Sequence, residues 1–126
     1  AHAKERNVAI FMFEGQQKPL PYYRQASIFL VTSACEGFPM TILEAQQCGC
    51  VPISYNSFAA ATDLIMDGNN GILVENNNRH IFVEKLRNLM LNDQFRQEMS
   101  MQCVESSHRF SVENVATLWN NLLQSL

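Results

Sequence analysis

Short apolar runs alternate with helical stretches along this chain, and that alternation limits the fold more than any other feature. Val8-Ala-Ile-Phe-Met-Phe13 is a continuous apolar run bounded by Gly15, and it reads as a buried strand. Ile28 to Val31, Val51-Pro-Ile-Ser54 and Ile72-Leu-Val74 read as three more. Helical signals fill the gaps. Pro19 and Pro21 are placed to start a short helix through Gln25 that carries Tyr22 and Tyr23. Met40 to Gln47 is helical, and Gly49 ends it. Ala59 to Met66 is a short helix, and Asp67-Gly-Asn-Asn-Gly71 is a dense turn. Pro52 lies near the start of its strand, where a missing N–H is tolerable. Such alternation predicts the α/β class, a parallel sheet of about four strands with flanking crossover helices.

After the loop Glu75-Asn-Asn-Asn78 the pattern is helical to the end. Ile81, Phe82, Lys85, Leu86, Leu89 and Met90 form one stripe. Asp93 is expected to cap the next helix, which carries Phe95, Met99 and Val104, and Ser111 to cap the last. Val115, Leu118, Trp119, Leu122 and Leu126 follow the spacing of a packed face, expected to serve core or interdomain packing.

At 126 residues the chain fits one domain with a real core. Hydrophobic residues at 47% and charged residues at 17% exclude a disordered chain. A net charge of −3, with nine scattered basic residues, argues against a nucleic-acid partner, which would demand clustered Lys and Arg. Cys35, Cys48, Cys50 and Cys103 read as small buried thiols of a reducing cytoplasm; Cys48-Gly-Cys50 has the wrong spacing for a zinc knuckle. The opening residues resemble the interior of something longer, so a fragment is expected. No signal peptide and no bilayer-spanning run is visible.

The stretch with most chemistry is Glu36-Gly-Phe-Pro-Met-Thr-Ile-Leu-Glu44, entered from the apolar segment Ala26 to Val31. Strand, turn, acid and helix in that order present polar groups at the carboxyl edge of a sheet. Two acids and a helix start can hold a ligand that carries both hydroxyls and phosphates. Hydroxyls donate to carboxylates, and phosphates sit on free backbone N–H groups. Read from the residues alone, Glu36 is equally an exposed helix-start acid, and Glu44 a solvated helix glutamate.

From about Val8 to Trp119 the chain resembles the carboxy-terminal nucleotide-sugar domain of retaining glycosyltransferases of family 4, which have the GT-B fold. Ser33-Ala-Cys-Glu36-Gly37-Phe38 is similar to the family's S-x-x-E-G-F/Y, and Glu36 and Glu44 to its E-x7-E pair. Leu43-Glu44-Ala45, Gly49-Cys-Val-Pro-Ile53, Asp67-Gly-Asn-Asn-Gly71-Ile-Leu-Val74 and His108-Arg-Phe-Ser111 resemble further signatures in the family's order. The resemblance implies a Rossmann-like sheet and a helical tail, forming the later part of that domain. A basic pair that holds the diphosphate in the family, and the amino-terminal acceptor domain, have no counterpart in the sequence. A family glutamate after the proline-containing strand aligns with Asp63.

The same resemblance implies roles for individual residues. Glu36, the catalytic candidate, would accept a hydrogen bond from a donor-sugar hydroxyl, and Glu44 from the ribose hydroxyls. The family turns backbone N–H groups toward sugar and phosphates in the intervening turn. Pro39 has none, which leaves Gly37, Phe38, Met40 and Thr41. Ser33 would add a hydroxyl or cap the turn. Gly15 and Gln16 would touch the base, and Asn56 and Ser57 would line the sugar pocket or form an ordinary polar loop. Tyr22 and Tyr23 read as packing. His2, His80 and His108 form no catalytic or metal constellation.

The implied activity is transfer of a sugar, with retention, from a nucleotide diphosphate sugar to a saccharide or lipid-linked acceptor. No metal or other cofactor is expected. The setting would be bacterial cell-surface polysaccharide assembly, such as capsule or lipopolysaccharide, in the cytoplasm or peripherally on the inner face of the membrane. The alternatives are a flavodoxin-like interaction or nucleotide-binding module whose acids are surface residues, and a phosphorylase or glycogen-synthase relative of the same fold.

Overall fold

The computed structural model describes Ala9 and residues 18–126. Apart from Ala9, the strand expected over Val8 to Phe13 lies outside the described residues. Three strands follow: β1 (Ile28–Val31), β2 (Val51–Asn56) and β3 (Ile72–Glu75). They pair in parallel in the order β1-β2-β3, with Ile28 opposite Val51 and Ile53 opposite Ile72. The helices are α1 (Leu20–Gln25), α2 (Met40–Gln47), α3 (Ala60–Leu64), α4 (Arg79–Leu91), α5 (Asp93–Ser107) and α6 (Val112–Gln124). A 3-10 turn, His108–Phe110, joins α5 to α6.

Apolar side chains cover both sheet faces, as a parallel sheet requires. On one face Val31 packs with Ile42 and Leu43 of α2 and with Phe58, Ala61, Leu64 and Ile65 around α3. On the other, Val51, Ile53, Ile72 and Val74 meet Phe82 and Leu89 of α4 and Met99 and Cys103 of α5. Each buried side chain of this size contributes about 1.5–3 kcal/mol relative to exposure. Among the described helices, none is long and apolar enough to cross a membrane.

Pro52 sits in the middle one of the three described strands, and the pairing explains why that is tolerated. Val51 N–H donates to the Ser27 carbonyl at 3.0 Å, on the β1 side. Successive residues of a parallel strand face alternate neighbours, so the missing N–H of Pro52 falls on the β3 side. Pairing with β3 begins only at Ile53. Gly71 closes that gap: a Cβ on it would lie 2.8 Å from Pro52 Cγ and 2.9 Å from the Pro52 carbonyl oxygen. The proline strand and the glycine turn therefore pack directly on one another.

Four expectations need correction. Helix α3 stops at Leu64 rather than Met66, because Ile65 turns extended and the Met66 N–H donates to Asn70 Oδ1 at 2.7 Å. Asn92, not Asp93, caps α5, accepting from Phe95 N–H at 3.0 Å; Asp93 is the first helical residue and pairs with Arg96 at 2.6 Å. Met90 leaves the α4 stripe for solvent, and Val104 is also exposed. Of the two roles expected for the α6 stripe, core or interdomain packing, core is ruled out: Leu118 is 66% exposed and Trp119 61%. Ser111 does cap α6, accepting from Asn114 N–H at 3.2 Å.

Candidate functional site

Parallel pairing sets the carboxyl ends of β1 and β2 side by side, and the chain segments leaving them are tied together. The Ser57 hydroxyl donates to the Ser33 carbonyl at 2.7 Å. Ser57 thus acts on the loop after β1 as a brace, while Asn56 at the end of β2 is exposed. From Ser33 the chain runs through exposed Cys35, Glu36, Gly37 and Phe38 to buried Pro39.

Pro39 has φ −79° and ψ 83°, close to an inverse γ-turn. Its consequence is local: Met40 N–H donates back to the Phe38 carbonyl at 2.9 Å, and Ile42 N–H to the Pro39 carbonyl at 3.0 Å. Met40, expected among the free donors, has its amide occupied. The amides of Gly37, Phe38 and Thr41 donate to nothing among the described residues. Helix starts leave such N–H groups open, and here no side chain caps them. A Cβ on Gly37 would meet nothing within 4 Å, so packing inside the chain does not demand glycine there.

Two aromatic contacts frame this turn. Phe38, 48% exposed, meets Phe110 edge-on at 5.9 Å between ring centres. Arg109 lies over the Phe110 ring at 4.6 Å and donates to the Asp63 carbonyl. The 3-10 turn after α5 therefore rests on the loop after β1. Arg109 and Phe110 belong to a segment the sequence singles out, yet the sequence gives no signal that they touch Phe38 and Asp63. On the other side, half-buried Glu44 lies beside Tyr23 of α1. Burial pushes the Tyr23 hydroxyl above its ordinary value of 10.0, and the Glu44 carboxylate adds to that as a charge and as a hydrogen-bond acceptor. Tyr23 also packs edge-on against Phe29 at 5.6 Å. So Tyr23 is buried packing, as expected, and in addition a neighbour of Glu44; Tyr22 is exposed.

The structure places Ser33, Glu36, Gly37, Phe38, Met40, Thr41 and Glu44 on one continuous loop-and-helix unit at the carboxyl edge of the sheet. Gly15, Gln16 and His2 lie outside the described residues. His80 in α4 and His108 in the 3-10 turn are both exposed and sit on separate elements. Chemically, the unit offers open N–H donors to an anion and two carboxylate acceptors to hydroxyls.

Residues 1–105 match the family described as glycosyl transferases, group 1. Among curated proteins, the chain is 26% identical over 102 residues to the amylovoran biosynthesis glycosyltransferase AmsD of Erwinia amylovora, covering 81% of the chain and 28% of that protein. The lipopolysaccharide outer core galactosyltransferase WaaB, solved in its apo form, is 26% identical with a TM-score of 0.77 over 98% of the chain and 36% of its own. HepE of Anabaena, solved with UDP and glucose, shares the fold at 22% identity and a TM-score of 0.81, over 91% of the chain and 32% of its own. The chain spans 16–29% of the length of the first curated relatives it matches.

Proposed function

Because the chain belongs to the glycosyl transferases group 1 family, we propose that it is the donor-binding part of an enzyme that moves a hexose from a nucleotide diphosphate sugar, with retention, to a saccharide or lipid-linked acceptor. The start of α2 carries this reading: three amides with no partner among the described residues lie between two carboxylates at the carboxyl edge of the sheet. Gly37, Phe38 and Thr41 N–H groups meet the diphosphate, helped by the positive end of the helix. Glu36 accepts from a sugar hydroxyl and Glu44 from the ribose diol. The open space at Gly37 supports close approach of a ligand to the backbone.

In the proposed reaction the bond from the anomeric carbon to the leaving phosphate oxygen breaks. A bond to the acceptor oxygen forms on the same face, and the acceptor proton passes to the leaving phosphate. The protein's task is then positioning and stabilisation of charge on the diphosphate, which the proposal gives to amides rather than to a metal ion. Neither glutamate transfers a proton, unlike the paired acids of glycoside hydrolases. WaaB's role in the lipopolysaccharide outer core supports a place in bacterial cell-surface polysaccharide assembly. Placement in the cytoplasm, or peripherally on the membrane's inner face, follows from that setting. The acceptor side, and a partner for the apolar face of α6, are assigned to an amino-terminal domain.

UDP, the nucleotide held by the fold neighbour HepE, is the probe for a first test. Titrated into labelled chain, it should shift the amide resonances of Gly37, Phe38 and Thr41. Glu44→Ala should weaken binding about tenfold or more, the loss expected for a charged hydrogen bond. Glu36→Gln should leave UDP affinity unchanged and weaken only a UDP-sugar. Unshifted amides in the unaltered chain would overturn the site.

A further inference from the structure

The start of α2 has no capping side chain, and most of what the helix buries is apolar: Ile42, Leu43 and Ala45. Apolar contacts hold a helix against a sheet, but they tolerate rotation about its axis and small slides. One buried polar side chain breaks that pattern. Gln46, two residues past Glu44, is 1% exposed, and both its N–H groups are used. Nε2 donates to the Leu64 carbonyl at 3.0 Å and to the Asn70 carbonyl at 3.1 Å. Asn70, 0% exposed, extends the cluster. Its Nδ2 donates to the Leu64 carbonyl at 3.1 Å and to Ser106 Oγ at 2.7 Å, and its carbonyl also accepts from Cys103 Sγ at 3.1 Å. No buried side-chain polar atom among the described residues is left unpaired.

We propose that Gln46 is a positioning residue for nucleotide recognition: its paired hydrogen bonds to Leu64 and Asn70 fix the rotation and depth of α2, and so the direction of Glu44 and the amides at the helix start. The inference rests on the reading of Glu44 and those amides as the donor site. Successive helical residues turn by about 100°, so Gln46 and Glu44 point to well-separated sides of α2. The Leu64 and Asn70 carbonyls thereby hold the helix from the side away from Glu44. Directional bonds in a dry interior supply what apolar packing lacks, a single preferred orientation.

The test is a double-mutant cycle read by UDP titration of the whole chain. Gln46→Met keeps the side-chain volume and removes both donors. It should weaken UDP binding about tenfold, the size of effect that misplacement of a binding group produces. In a Glu44→Ala background the same change should cost clearly less, because one of the groups being positioned is gone while the amides remain. Leu89→Ala, a buried truncation on the opposite face of the sheet, controls for general loss of stability and should leave UDP affinity intact. Equal weakening by Leu89→Ala, full additivity of Gln46→Met with Glu44→Ala, or unchanged affinity in Gln46→Met would each overturn the positioning role. If Glu44→Ala leaves binding intact while Gln46→Met weakens it, the site reading itself fails, and action through Glu44 fails with it. If only Gln46→Met is silent, the site reading stands and positioning alone is lost.

Discussion

Cys50 and Cys103 show how burial sets the chemistry of single residues here. Both are fully buried. Burial, then the neighbouring Cys48, pushes the Cys50 thiol up to about 11; burial, then Cys50, pushes Cys103 up to about 12, both from an ordinary 9.0. A folded-state value above the unfolded one gives stability that is complete below pH 9.0 and is lost as pH rises through about 11 and about 12. Tyr23, raised in the same direction, adds to the decline above pH 10.0. Chemical unfolding followed from pH 8 upward should therefore show falling stability, shallower in a Cys50→Ala, Cys103→Ala chain; an identical slope would remove the thiols as its cause. In the native chain a thiol reagent should find exposed Cys35 first; it and half-buried Cys48 depart from the expected buried set. At this scale the sequence shows which side chains can accept or donate, because that is a property of the residue type. It does not show which donors are already taken: the Met40 amide is lost to Phe38 only through the backbone angles at Pro39.

At the scale of elements, turns and caps explain most of what holds the site's scaffold in register. Gly71 carries the close approach to Pro52, so Gly71→Ala should destabilise by about 1–3 kcal/mol, the usual cost of overpacking, measured as a lower denaturant midpoint with unchanged slope. Asp67 Oδ1 accepts from Leu73 N–H at 2.9 Å and pins the entry to β3. Asn92→Ala should cost about 1 kcal/mol as the loss of a helix cap, whereas Asp93→Ala should cost less, reversing the order the sequence suggests. Element types are legible in the sequence because periodicity and turn residues are local. The choice between adjacent Asn92 and Asp93 as cap is not, since it depends on where the backbone first turns helical. The contact of Phe110 with Phe38 is not legible either, since those residues lie far apart in sequence and on different elements.

At the scale of the whole molecule, the described residues form a parallel sheet covered on both faces, with one helix left over. Val112, Leu118, Trp119, Leu122 and Leu123 of α6 are all more than half exposed. Contiguous apolar surface of this kind drives association. The 126-residue chain should self-associate with rising concentration in sedimentation velocity. Trp119→Glu with Leu122→Glu should reduce that association without lowering the unfolding midpoint; a matching loss of stability would show the face to be core after all. Sequence alone determined the α/β class, the strands within the described residues, the order of the signatures and the two glutamates with their turn, because each is written in local periodicity, turn chemistry or residue type. The tertiary structure alone decided that Ser57 braces Ser33, that Tyr23 faces Glu44, that Gln46 and Asn70 lock α2 to the turn before β3, and that the α6 stripe stays uncovered. A hydrophobic period states that a face must be buried, but only the fold supplies the surface that buries it.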